Sequence, residues 1–256
     1  MDKITPEHFY SEAIRISDEA DTIGLKLRIL GSLAFRIHCP NNVYLLDQME
    51  RELTDIDYVG RADQRHQFKK FLSNMGYKVD QDLLIATEGT RFFFQHPETG
   101  LGIDVFVDKL NYCHPIMLKD RMDLDHPTIT LVDLFMEKMQ IVEINEKDFK
   151  DTFVMLLEHD FGAGDRDKID LDYLSKVLGS DWGFYYTFTM NVKKAKSFLP
   201  DYAVLNAEQR EIISKKMDYV LTTLDQAPKT MKWKMRAKVG TRVKWYQEIN
   251  EKEATF

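Results

Sequence analysis

Cysteine is almost missing from this chain: Cys39 and Cys113 are its only two, far apart and without a CxxC pair. A disulfide framework and a cysteine-based zinc knuckle are thereby excluded, and both thiols are read as idle. Glycine and proline are scarce, 12 and 7 residues, too few for a fibrous or low-complexity chain. No uninterrupted apolar run approaches the roughly 20 residues that a membrane-spanning helix needs. Residues 1–9 carry Asp2, Lys3, Glu7 and His8 where a secretory signal needs an apolar stretch. The expectation is a cytoplasmic protein with no membrane contact. Positive charge is also wanting: a formal net charge of -7 excludes a surface that binds nucleic acid over its whole extent and leaves room for a local basic patch. No internal repeat recurs at a fixed period.

What remains is an ordinary globular composition, 44% apolar and 30% charged. At 256 residues the chain is near the upper limit for one core, so a catalytic domain with a helical extension is expected. Phe9, Ala13, Ile16 and Ala20 recur at helical spacing over 6–22, behind Thr5 and Pro6 as cap and first turn. Residues 26–30 alternate as a strand, Leu27 and Ile29 inward, Lys26 and Arg28 outward. Gly31 marks a sharp turn. Helices are expected over 33–38, 43–53 and 63–75, the last ending at Gly76, and strands over 54–59, 77–79, 90–95 and 101–107. The last two strands form a hairpin around 96–100. Beyond Pro127 the segments 130–141, 145–159, 168–178, 181–198, 206–225 and 229–250 all carry helical patterns. The fold class expected is α/β (α+β): a mixed sheet flanked by helices over 1–127, then a helical domain over 128–256 closing a cleft.

Asp55 and Asp57 flank Ile56, and side chains on a strand alternate faces, so both carboxylates project from one side. Asp104 stands among Ile103, Val105 and Phe106; on an adjacent strand it completes a three-carboxylate cluster. Uncompensated buried acids cost several kcal/mol each, on the order expected for buried ions, and a hard divalent cation such as Mg2+ or Mn2+ removes that cost. Gly31-Ser32, between a strand and a helix, offers backbone N–H groups, close approach and a hydroxyl to a phosphate.

Gly31-Ser32, Asp55-Ile56-Asp57 and Ile103-Asp104-Val105 together resemble the polymerase-β-type nucleotidyltransferase superfamily. The resemblance implies a nucleoside triphosphate substrate held at Gly31 and Ser32. It also implies two divalent ions on Asp55, Asp57 and Asp104, the last assisting deprotonation of an acceptor hydroxyl. The segment from Pro127 to Lys138, followed by Asn145 to Asp151, is similar to the AbiEii-like branch of abortive-infection and toxin-type transferases. That similarity, which spans 27–160, implies a phosphate contact for Lys138 and an acid near the acceptor at Asp148 or Asp151. The chain departs from the compact members in residues 38–54, which read as an inserted helix between Ser32 and Asp55.

The acceptor stays open: a small molecule, a tRNA 3′ end or a protein side chain. The alternative to an enzyme is a catalytically silent nucleotide-binding module of a toxin–antitoxin or abortive-infection system. Residues 229–244 contain Lys229, Lys232, Lys234, Arg236, Lys238, Arg242 and Lys244 with no acid, interleaved with Trp233, and Trp245 follows. Such a run reads as a solvated helix face or as an RNA contact. Trp182, Phe184, Tyr185, Tyr186 and Phe188 read as helix-packing core, with an acceptor pocket as the sharper alternative. His114 and His126 are expected in loops, and Asp108 as a solvated acid at a strand end.

Overall fold

In the computed structural model, which describes residues 4–164 and 167–248, Thr5 is extended and its side chain accepts the His8 N–H. With Pro6 in the first turn it starts α1 (Pro6–Thr22). Phe9, Ala13, Ile16 and Ala20 form the buried face of α1, and Ala13 and Ile16 are wholly covered. After Gly24, whose φ is +71°, the chain enters β1 (Leu27–Leu30), α2 (Gly31–His38), α3 (Val43–Gln48), β2 (Ile56–Gly60) and α4 (Arg65–Asn74). It continues through β3 (Lys78–Val79), α5 (Gln81–Ala86), β4 (Arg91–Gln95) and β5 (Gly102–Val107). The five strands form one mixed sheet in the order β1-β2-β5-β4-β3. Only β2 and β5 pair in parallel; the other neighbours are antiparallel.

A small hairpin of β6 (Lys109–Asn111) and β7 (Pro115–Met117) leads to the helices α6 (Leu131–Met139), α7 (Glu146–Glu158), α8 (Leu171–Ser180), α9 (Trp182–Phe198), α10 (Ala207–Gln226) and α11 (Met231–Val239). All nine residues of α6 are buried, Asp133, Glu137 and Lys138 included. This helix lies at the centre, packed by α2, α7, α8 and α9, and a helix enclosed on every side must pair its charges internally.

The chain just past the change in character at residue 127 is stitched to the sheet. Ile29 N–H donates to Pro127 O and Ile129 N–H to Ile29 O, each at 2.9 Å. One continuous set of buried apolar side chains runs from Phe9 on α1 to Leu224 on α10. Residue 127 therefore marks a change of secondary structure inside a shared core.

Several expectations need correction. Arg28 does not face solvent: it is 2% exposed, because its guanidinium bonds the carbonyls of Met122 and Asp125 at 2.8 and 3.0 Å and Asp21 at 3.1 Å. The helix expected over 43–53 stops at Gln48, where Glu50 takes a positive φ of 55° and Arg51 N–H turns back to Leu46 O. The strand expected from 54 starts at Ile56, and the helix expected from 168 starts at Leu171 behind its Asp170 cap. The helix expected over 229–250 is the nine-residue α11 followed by a 3₁₀ turn, Gly240–Arg242; positions 249 and 250 lie outside the described residues. The short helix α5 and the hairpin β6–β7 carry no periodic signal, being too brief to show one. Among the described residues, no helix is long and apolar enough to cross a membrane.

Arg28→Ala should lower the unfolding free energy by about 2–4 kcal/mol, since it strands buried carbonyls, whereas Lys26→Ala should change it by less than about 0.5 kcal/mol. Urea denaturation of the two variants checks this.

Candidate metal centre

Parallel pairing of β2 with β5 puts Asp57 directly beside Asp104. Asp55 lies one residue before β2 and shares the face of Asp57, two positions on. One carboxylate oxygen from each of Asp55, Asp57 and Asp104 comes within 4.8 Å of the others. The sheet thus gathers the three expected acids.

Their environments differ. Asp55 Oδ1 accepts the Thr54 hydroxyl at 2.8 Å. Asp104 is 1% exposed and both its oxygens are held by Arg91 of β4, Oδ1 by Nε at 2.7 Å and Oδ2 by Nη2 at 2.6 Å. Burial pushes the Asp104 carboxyl above the usual range, Arg91 pulls it back and Asp55 pushes it up again. Asp57 has no cation so close: its Oδ1 is buried with no hydrogen-bond partner. Burial first, then the charges of Asp55, Asp104 and Glu137, hold its carboxyl well above the usual range against the pull of Lys138. An orphaned carboxylate oxygen among two further carboxylates is the donor set that a hard divalent cation satisfies.

Gly31 opens α2 beside this cluster with φ +69°, and a Cβ there would collide with Asp57 Oδ2. The glycine is required twice, by its own backbone and by the approach of the acid. Its N–H is already taken: it donates to Glu137 Oε2 at 3.2 Å. Ser32, 7% exposed, faces the cavity described below.

Lys138 on α6 is the hub of a second charged group. Its Nζ lies 3.1 Å from Glu137 Oε1, 3.4 Å from Asp151 Oδ2 and 3.9 Å from Asp148 Oδ1. Burial alone would lower its pKa, but Glu137, Asp151 and Asp148 raise it, so the ammonium stays charged. Asp151 is fully buried and bound at 3.1 Å through each oxygen by Arg51; it lies behind Lys138 and does not line the cavity. Asp148 does line it, and it also closes the capping box of α7 with Asn145.

Arg51, Arg91 and Glu137 were not among the expected site residues. Arg51 belongs to the segment 38–54, which brings a guanidinium to Asp151. Arg91 opens the strand Arg91–Gln95, otherwise aromatic but for Gln95, and one charge at the head of an apolar strand was the available signal. Glu137 gave the same signal as a charge on a buried helix.

Beside these groups lies a cavity of about 570 Å³ with a mixed lining. Gly31, Ser32, Arg51, Asp55, Asp57, Lys138 and Asp148 line it, and so do Phe106, Tyr112, Ile141, Val142 and Tyr246; Asp104 and Arg91 stand outside it. Set against known protein families, curated proteins and solved structures, the chain matches none. The side chains alone carry the argument.

The remaining sequence signals lie elsewhere. Phe184 and Phe188 are buried in the shared core, and none of the 182–188 aromatics lines the cavity. His114 sits between β6 and β7 but is buried, stacked on Phe184 at 5.0 Å, and burial depresses its pKa to about 4. His126 pairs with Asp21 at 3.2 Å, and Asp108 accepts the Ala62 N–H at 2.9 Å to hold a turn. In the basic run, Lys229 caps the carbonyls of Leu224 and Ala227, and Arg236 binds Gly240 O and Val243 O beneath Trp182. Lys232, Lys234, Lys238 and Arg242 are exposed.

The folded pKa of Asp57 lies above its unfolded value, so the stability linked to it is complete below the unfolded pKa and is lost as pH rises through the folded one. Without divalent cations, wild type should lose stability relative to Asp57→Asn as pH rises from about 4 toward neutrality. Thermal unfolding in EDTA checks this; parallel pH curves for the two proteins contradict it.

Proposed function

We propose that the protein is a metal-dependent nucleotidyltransferase, transferring a nucleoside monophosphate from a nucleoside triphosphate to an acceptor hydroxyl and releasing pyrophosphate. The observation that carries this reading is the buried, unpartnered Oδ1 of Asp57, grouped with two further carboxylates on a residue that lines a ligand-sized cavity. Asp55 and Asp57 supply oxygens for Mg2+ or Mn2+, which when bound lowers the pKa of an attacking hydroxyl and offsets charge on the leaving pyrophosphate. Asp104 is fixed by Arg91 in two contacts, and its raised pKa suits it to take the acceptor's proton. Lys138 and the Ser32 hydroxyl reach the same space as phosphate ligands, with the first turn of α2 behind them. Asp148, next to Lys138, is the acid on the acceptor side. Of a small molecule, a tRNA 3′ end and a protein side chain, RNA has a surface in its favour: Lys232, Lys234, Lys238 and Arg242 are exposed, and the chain runs from them to the cavity wall.

A second reading, a silent nucleotide-binding module of a toxin–antitoxin or abortive-infection system, is favoured by one observation. Both oxygens of Asp104 are occupied by Arg91, which a resting acid tolerates and an active base must partly give up.

The test incubates purified protein with each labelled triphosphate, Mg2+ or Mn2+, and separate RNA, protein and metabolite fractions. The enzyme reading predicts label in one fraction with matching pyrophosphate release, reduced at least about 100-fold in Asp57→Ala and Asp104→Asn, as expected when a group acting in the transition state is lost. Metal-dependent binding without pyrophosphate release supports the module. Equal labelling by wild type and Asp57→Ala contradicts the transferase.

A further inference from the structure

We propose that Tyr246, on the segment following α11, is a stacking platform for the base of a nucleotide, with Tyr112 on the same wall, so that the C-terminal segment completes the nucleotide pocket. The proposal rests on reading the acidic cluster as a triphosphate site, and it gives a role to the aromatic side chains that line the same cavity. Carboxylates, Lys138 and Ser32 answer phosphates and cations, but a triphosphate leaves Phe106, Tyr112, Ile141, Val142 and Tyr246 without a purpose. A nucleotide joins the two chemistries that this lining offers: a polyanion and a flat ring whose faces stack on aromatics.

The segment carrying Tyr246 is pinned on both sides of that residue. Before it, Trp245 Nε1–H donates to Thr187 Oγ1 at 3.1 Å, the same hydroxyl that lies 2.8 Å from His114 Nε2. The Trp245 ring meets Tyr186 edge-on at 5.2 Å. Beyond it, Gln247 N–H donates to Cys113 O at 3.0 Å. Gly183 of α9 makes room for the passage, since a Cβ there would collide with the Trp245 carbonyl. Neither anchor uses the Tyr246 ring, which is half-buried and borders the cavity. Trp245 and Tyr246 form a T-shaped pair at 5.2 Å, and Lys244 Nζ lies over the Tyr246 ring, 5.1 Å from its centroid. Across the same wall, Tyr112 is braced edge-on by Phe106 at 5.6 Å. Braced rings hold a stacking geometry at little entropic cost.

Calorimetry with the full chain and Mg2+ tests this, using ATP, GTP, CTP, UTP and inorganic tripolyphosphate as probes for wild type, Tyr246→Ala, Tyr246→Phe and Asp57→Asn. Tyr246→Ala should weaken the bound triphosphates about 10-fold, the loss of one base–aromatic stack, leave tripolyphosphate unchanged, and be rescued by Tyr246→Phe. The unchanged tripolyphosphate arm also shows that the variant is folded. Equal nucleotide affinity in wild type and Tyr246→Ala overturns the stacking role, and so does a parallel loss of both ligand types. If wild type binds tripolyphosphate no better than Asp57→Asn does, the triphosphate reading fails and the stacking role falls with it.

Discussion

Three carboxylates that repel one another are held within a few ångströms by a backbone that gives them no choice. The parallel pairing of β2 and β5 sets Asp57 beside Asp104, and the two-residue period brings Asp55 to the same side. Each strand is buried for its own apolar residues, Ile56, Tyr58 and Val59 on one and Ile103, Val105 and Phe106 on the other, so the backbones carrying Asp57 and Asp104 cannot move apart without unzipping the sheet. Hydrophobic packing therefore sustains an electrostatic arrangement that is unfavourable by itself.

The surroundings answer that charge unevenly. Arg91 neutralises Asp104 from β4, and Lys138 moderates the field at Asp57 from α6. Lys138 is itself shared with Glu137, Asp148 and Asp151, of which Asp151 is secured by Arg51. The fully enclosed α6 thus ties the sheet to α7 through ions as well as apolar contacts. Asp57 is left with an oxygen that no side chain satisfies, beside a glycine without which it could not fit. Other buried acids, such as Asp133 with Arg121 at 2.7 Å, are closed by a cation, whereas Asp57 lines the cavity.

Much of this was legible in the sequence because it depends on local periodicity. The cap at Thr5, the face of α1, the turn at Gly31, the hairpin of β4 and β5 and the shared face of Asp55 and Asp57 all follow from spacing, whereas Asp104 joins them only through the pairing of β2 with β5. What escaped depends on partners distant in sequence. Arg28 alternates like a surface residue but is drawn in by the Met122 and Asp125 carbonyls; Arg51 and Arg91 gain meaning only from Asp151 and Asp104, 100 and 13 residues away. The basic run 229–244 read as one continuous face, yet Lys229 and Arg236 are spent on backbone carbonyls. Tyr246 gave no signal, because only the folded chain brings the C-terminal segment to the cavity.

Whether the acidic cluster holds a divalent cation is read from Mn2+ binding, followed by the loss of the free-ion paramagnetic resonance signal. Wild type should remove Mn2+ from solution saturably, Mg2+ should displace it, and the Asp55→Asn/Asp57→Asn double variant should leave the free-ion signal as high as buffer alone. Equal uptake by wild type and that folded double variant would contradict the account.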